Sequence, residues 1–369
     1  MLLGVSSAFD TPSPVPLRAA VAALPAYVPG ARPGLGERLW KLSSNENPFE
    51  PLDSVLAAVA DAAGSLNRYP DMYATPVVER VAALTRVDVG QVVVGNGSVA
   101  VLAHLLSAVV NWGDEVVYAW RSFEAYPIAV AVAGGISVQV PLLADGCHDL
   151  AAMAKAARSP RARVVLVCTP NNPTGPAIEA AELESFVASI PSDVMVVIDE
   201  AYLEFVSADD GALDTLGLLS RFGNVVLLRT LSKAYGLAGM RVGYCVAHPA
   251  LAAGVRAVST PFGVSAVAEA AAVAALAPEA LAVMRQRVAA LVAERARVLT
   301  GLRAQGWQVP DSQANFVWLP LGGRTVELAA AARAAGILAR PFAGEGLRVS
   351  IGEPEANTAF LELAATWLD

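Results

Sequence analysis

From about residue 50 to residue 250, short runs rich in Val and Ile alternate with Ala-rich stretches of helical length. No other feature constrains the fold as much. The runs Gln91–Gly95, Glu115–Ala119, Ile136–Leu142, Arg163–Cys168, Val194–Ile198, Asn224–Leu228 and Val242–Ala247 predict seven strands. Between them lie amphipathic stretches such as Ser98–Val110 and Ala177–Ile190. Strands that alternate with helices of this length imply βαβ units and a largely parallel sheet covered on both faces, an α/β fold. From Pro278 the texture changes to one long helix-like stretch, then sparse strands near Asn315–Leu319 and Leu347–Ile351. A second, smaller α+β lobe is predicted there. No period of 20–50 residues repeats.

The charge balance narrows the function. Against 34 acidic residues stand 26 Lys and Arg, a net charge of −8, with no Lys/Arg-rich run. A nucleic-acid partner held through phosphates and a polybasic membrane surface both lose support. The longest charge-free stretch, Ala125 to Ala144, is broken by Pro127, Gly134, Gly135, Gln139 and Pro141. A spanning helix needs ~20 predominantly apolar residues without such breaks. The first residues carry no positively charged segment ahead of an apolar run, so no secretory signal is expected. Cys147, Cys168 and Cys245 show no CxxC spacing, which suits a reducing, cytoplasmic setting, and Cys168 and Cys245, inside apolar runs, read as small core residues. The three histidines, His104, His148 and His248, form no HxxxH or HExxH pattern, and no metal site is expected.

In an open α/β sheet, ligands bind outside the carboxyl ends of the strands, and four of these ends carry chemistry. The first is VVVGNGSVA, residues 92–100, in which two glycines precede a helix N-terminus suited to an anion. It also matches G-x-G-x-x-A with Glu115 downstream, but that acid opens its strand where the dinucleotide fingerprint needs it at the far end. A phosphate loop, a dinucleotide loop and a plain turn all stay open here. The second is TPNNPTGP, residues 169–176, either a surface turn or a rim of amide donors. Third, VVIDEAY runs an apolar strand into Asp199, a carboxylate that is costly there unless it caps a helix or meets a cation. Fourth, VVLLRTLSKAYGLAGMRVGY holds one of only three lysines, Lys41, Lys155 and Lys233. Lys155 reads as a solvated helix residue and Lys41 as a positioning residue. Lys233 follows a buried strand, with Thr230, Ser232 and Arg241 near it in sequence. A desolvated lysine amine attacks carbonyls, and two hydroxyls with a guanidinium suit a phosphate. Together these parts ask for a phosphorylated aldehyde whose ring nitrogen is kept protonated, which describes pyridoxal phosphate.

At this point the chain resembles the histidinol-phosphate/aromatic aminotransferases among the fold-type I pyridoxal-phosphate enzymes. The resemblance runs nearly end to end, through LPAYVPG (24–30), LSSNENPF, NRYPD, NPTG, DEAY, SKAYGLAGMRVGY, QANFVW and LRVSIGEPEAN (347–357). It implies an N-terminal arm, 1–44, joining the small domain, a large cofactor-binding domain, 45–277, built on a seven-stranded mostly parallel sheet, and a small domain, 278–369. It implies Lys233 as the Schiff-base lysine and proton shuttle, Asp199 at the pyridine nitrogen, and Asn172 and Tyr202 at the ring hydroxyl. Phe123 would stack on the ring. Gly97, Ser98, Val99, Thr230, Ser232 and Arg241 would hold the phosphate, and Tyr69 would reach the cofactor of a second subunit in a homodimer. Arg348 would clamp the substrate carboxylate, with Tyr27, Asn45 and Arg340 around the substrate side chain.

The donor is either an aromatic amino acid or histidinol phosphate. Trp120-Arg121-Ser122-Phe123 and QANFVWLPLG resemble the aromatic branch, whereas Arg340 matches a position that can meet a substrate phosphate. The acceptor is a 2-oxo acid. A lyase or decarboxylase on the same scaffold is the lesser reading, and a dinucleotide oxidoreductase built on GNGSVA or a regulator lacking activity is less well supported. Lys233→Ala is expected to abolish turnover while circular dichroism reports an intact fold, and unimpaired activity would refute the role given to Lys233.

Overall fold

The structure, a computed structural model, describes residues 15–24, 34, 39–207 and 214–368. Its strands are β1 (Trp40–Lys41), β2 (Val92–Gly95), β3 (Glu115–Trp120), β4 (Ile136–Pro141), β5 (Ala162–Cys168) and β6 (Met195–Asp199). They continue with β7 (Val225–Thr230), β8 (Gly243–Ala247), β9 (Phe316–Leu319), β10 (Ile337–Leu338), β11 (Arg340–Phe342) and β12 (Gly346–Ser350). The seven runs read from the sequence become β2 to β8, with ends moved by one or two residues, and they form one sheet in the order β2-β8-β7-β6-β5-β3-β4. All pairings are parallel except those of β8, which runs antiparallel to β2 and β7. Helices Ser98–Val109, Ala125–Ala133 and Ala180–Ser189 supply crossovers, so the chain is an α/β protein with a large, mostly parallel sheet.

The central strands read as unbroken apolar runs because both faces are covered. Period-two alternation divides their side chains between two cores. Val116, Tyr118, Val164, Leu166, Met195, Val197, Val226 and Leu228 pack with helices Ser98–Val109 and Ala125–Ala133 on one face. Val117, Val165, Val167, Val196, Ile198, Val225 and Leu227 join the larger core on the other. That core continues through helix Pro278–Gln305 to Phe316, Leu347 and Trp367, so the three-stranded antiparallel sheet β11-β12-β9 shares it. β1 pairs in parallel with β10, tying the segment before residue 42 to that region. At the sheet edge β4 is largely open to solvent and ends on Pro141, which removes a donor from an exposed edge. Among the described residues no single helix is long and apolar enough to cross a membrane.

Because Leu166 is almost completely buried at the middle of β5, Leu166→Ala is expected to destabilise the protein by about 2–5 kcal/mol, read as a lower urea midpoint.

Candidate active site

Six parallel strands end at one edge of the sheet, and the reversed β8 begins there. The segments after β2, β3, β5, β6 and β7 and before β8 surround a cavity of about 410 Å³ that Lys41, Asn45, Ser98, Val99, Phe123, Asn172, Asp199, Tyr202, Thr230, Ser232, Lys233 and Arg241 line. Arg340 and Arg348 close it from β11 and β12. A larger hollow of about 880 Å³ lies along Trp120, Arg121, Cys147, Gln313 and Glu345, but neither Lys233 nor Asp199 faces it.

Two glycines set the cavity's anion cradle. Gly97 has φ +83° and opens helix Ser98–Val109, and a Cβ there would lie 2.5 Å from Arg241 Nη2. A Cβ on Gly243 would lie 2.2 Å from the Ser98 nitrogen. Only bare backbone brings the helix N-terminus this close to Arg241 and β8. Arg241, itself at φ 56°, donates to Ser232 Oγ at 3.2 Å and to the Ala238 carbonyl at 3.0 Å. Thr230 Oγ1 accepts from the Ser232 N–H at 3.1 Å. Free N–H groups, hydroxyls and a guanidinium converge on one spot, as a phosphate requires.

Next to the cradle stands Lys233, which keeps a narrow opening to the cavity and donates from Nζ to the Ser44 carbonyl at 3.1 Å. Burial first, then Arg348, Arg241 and Lys41 against the pull of Glu46, brings its pKa down to about 7. An amine in that range is available as nucleophile and base. Asp199, at the end of β6, is pushed up to about 6 by burial. The Tyr126 hydroxyl donates to its Oδ2 at 2.8 Å, the Ala201 N–H to its Oδ1 at 3.3 Å, and both act against that shift. A carboxylate so placed favours a cationic N–H as its partner.

The remaining walls position a substrate. Arg348 donates to Asn172 Oδ1 at 2.5 Å and to the Ser43 carbonyl at 2.9 Å. Asn45, in the left-handed region at φ 53°, donates to the Tyr202 hydroxyl at 3.0 Å, while its own N–H reaches Ser350 Oγ at 2.8 Å. Phe123 meets Tyr126 edge to face at 5.7 Å. Arg340 is paired with Glu124, Nη2 to Oε2 at 2.6 Å.

Of the residues picked from the sequence, thirteen side chains thus reach one cavity and Gly97 borders it. Tyr69 does not: it is 84% exposed and packs on Phe262 with centroids 4.8 Å apart. Tyr27 lies outside the described residues. Tyr126, Glu124 and Ser44 were missed. Tyr126 and Glu124 follow Phe123 closely, but their partners stand 73 and 216 residues away, so no local pattern signals them.

A family model described as aminotransferase class I and II matches residues 37–363. A relative from Streptomyces avermitilis named aromatic amino acid aminotransferase is 51% identical, over 94% of this chain and 96% of that protein. One from Thermobifida fusca with the same name is 50% identical, over 95% and 97%. Among solved structures, histidinol-phosphate aminotransferase from Sinorhizobium meliloti, in complex with pyridoxal-5'-phosphate, matches with a TM-score of 0.82. It is 28% identical, over 98% of this chain and 97% of that one.

The lowered Lys233 pKa has a stability sign. Between about 7 and 10.5 the unfolded chain holds a proton that the folded one lacks, so this group makes stability rise with pH across that window. In the ligand-free protein, Lys233→Met is expected to flatten that rise and to raise the melting temperature near pH 7; an unchanged slope would count against the assignment.

Proposed function

The chain belongs to the class I and II aminotransferases, and from that premise we propose that it carries the amino group of an aromatic amino acid to a 2-oxo acid with pyridoxal phosphate as cofactor. The observation that carries this reading is the convergence of Lys233, Asp199 and the Gly97–Arg241 cradle in one cavity. The residues fit the cofactor, because a buried carboxylate with a raised pKa suits a protonated ring nitrogen and a cradle that admits no Cβ suits a phosphate. Gly97, Ser98, Val99, Thr230, Ser232 and Arg241 would hold the phosphate, Phe123 the ring face, and Asn172 and Tyr202 the ring hydroxyl. When bound, the cofactor supplies an electron sink that makes the donor's Cα–H acidic.

The chain's own groups do the rest. Lys233 Nζ would hold the cofactor aldehyde, and the same amine is placed to take a proton from the donor's Cα and to give one back. Its pKa near 7 lets the same nitrogen act as base and then acid at neutral pH. Asp199 would pair with the ring nitrogen and favour its protonated form. Arg348 holds the donor carboxylate in a bidentate pair, which orients Cα–H toward Lys233. Asn45 and Arg340 stand by the substrate side chain. Exposed Tyr69 packs on exposed Phe262, and Leu66, Met72 and Tyr73 near it in sequence are exposed too, which supports a homodimer with Tyr69 offered to the second subunit's phosphate site.

Purified, cofactor-loaded protein should lose its visible cofactor absorbance with phenylalanine alone, before any 2-oxo acid is added. The second-order rate constant with phenylalanine is expected to exceed that with histidinol phosphate. The reverse order would move the enzyme to the histidinol-phosphate reading.

A further inference from the structure

Arg340 and Arg348 are direct cross-strand partners on β11 and β12, and both side chains are buried in the cavity wall. Their guanidinium carbons lie 5.7 and 5.8 Å from the centre of the same Phe342 ring. Like charges opposite one another repel, and a buried cation needs a counter-ion. For Arg340 that counter-ion is Glu124, at 2.6 Å. Glu124 is well seated for the task. It adjoins Phe123 and stands at the N-cap position of helix Ala125–Ala133, where the helix dipole favours a carboxylate although its side chain makes no capping bond.

We propose that Glu124 sets donor specificity: by holding Arg340 it closes that end of the cavity to donors bearing a distal phosphate or carboxylate and leaves it fit for an uncharged aromatic side chain. An anionic group placed there must displace Glu124 or sit beside its charge, and such a built-in repulsion discriminates as effectively as an added contact. Phe123 and Phe342 line the same cavity and would meet an uncharged aromatic ring, which has no charge to compete for Arg340. Arg348, one strand spacing away and bonded to Asn172 and the Ser43 carbonyl, would take the carboxylate every amino-acid donor carries. This rests on the aminotransferase reading of the cavity.

The test compares cofactor-loaded wild type, Glu124→Gln, Glu124→Ala and Glu124→Gln/Arg340→Gln. The ratio of half-reaction rate constants, histidinol phosphate over phenylalanine, should rise about tenfold or more in both single variants and fall back in the double variant. Calorimetric affinity for 2-(imidazol-4-yl)ethyl phosphate, which lacks the reacting amine, should tighten in parallel. An unchanged ratio and affinity in both single variants overturns the role of Glu124. Wild type that reacts with neither donor overturns instead the function on which it rests.

Discussion

A parallel strand can rejoin its sheet only by way of a crossover, so every parallel strand delivers its carboxyl end, and the loop that follows, to the same edge. Everything chemical in this protein hangs on that constraint. β2, β3, β5, β6 and β7 each release a loop into the cavity, and β8 enters it in reverse with Arg241 just before its first residue. The two hydrophobic cores on either face hold the strands in register, so groups far apart in sequence meet within hydrogen-bond distance.

The cavity's charges are arranged for use more than for stability. Burying Asp199 without full compensation and pressing Lys233 among three other cations are both unfavourable. Elsewhere the fold avoids such costs. Glu200, just past β6, is satisfied by Arg229 at 2.7 Å and by the Thr215 hydroxyl at 2.7 Å. Neighbouring residues of one segment, Asp199 and Glu200, thus face opposite sides of the sheet: one a satisfied structural ion, the other a carboxylate left wanting a cation. That contrast is a physical mark of a site.

Much of this was legible in the sequence because the signals were local. A buried parallel strand writes itself as a Val/Ile run, and Lys233, Asp199 and Gly97 follow such runs directly. The antiparallel sense of β8 was not legible, since a strand covered on both faces reads alike in either direction. Nor were the partners of the site residues. Tyr126 is the second residue of a helix whose apolar sequence hides its hydroxyl, and Glu124 resembles any exposed acid beside a helix start. What pairs them with Asp199 and Arg340 is the tertiary arrangement, which for Arg340 joins two separate sheets and which no single segment encodes. Tyr69 is a different case, for its motif was plain while its exposed position gives it no role within one chain.

Asn45 joins three distant parts at once: its amide reaches Tyr202, its backbone N–H reaches Ser350, and its carbonyl accepts from Asn315 at 3.1 Å. The Lys233 amine rests on the carbonyl of the residue just before it, Ser44. Two of these bonds span 305 and 270 residues, so they close only when nearly the whole chain has been made. During synthesis the large sheet can form from residues already outside the ribosome, but the wall that covers Lys233 cannot. Arg348, which helps to lower the Lys233 pKa, and the anchors of Asn45 at Asn315 and Ser350 all lie in the last part of the chain, so the surroundings that make this amine reactive are complete only when the last strands are in place.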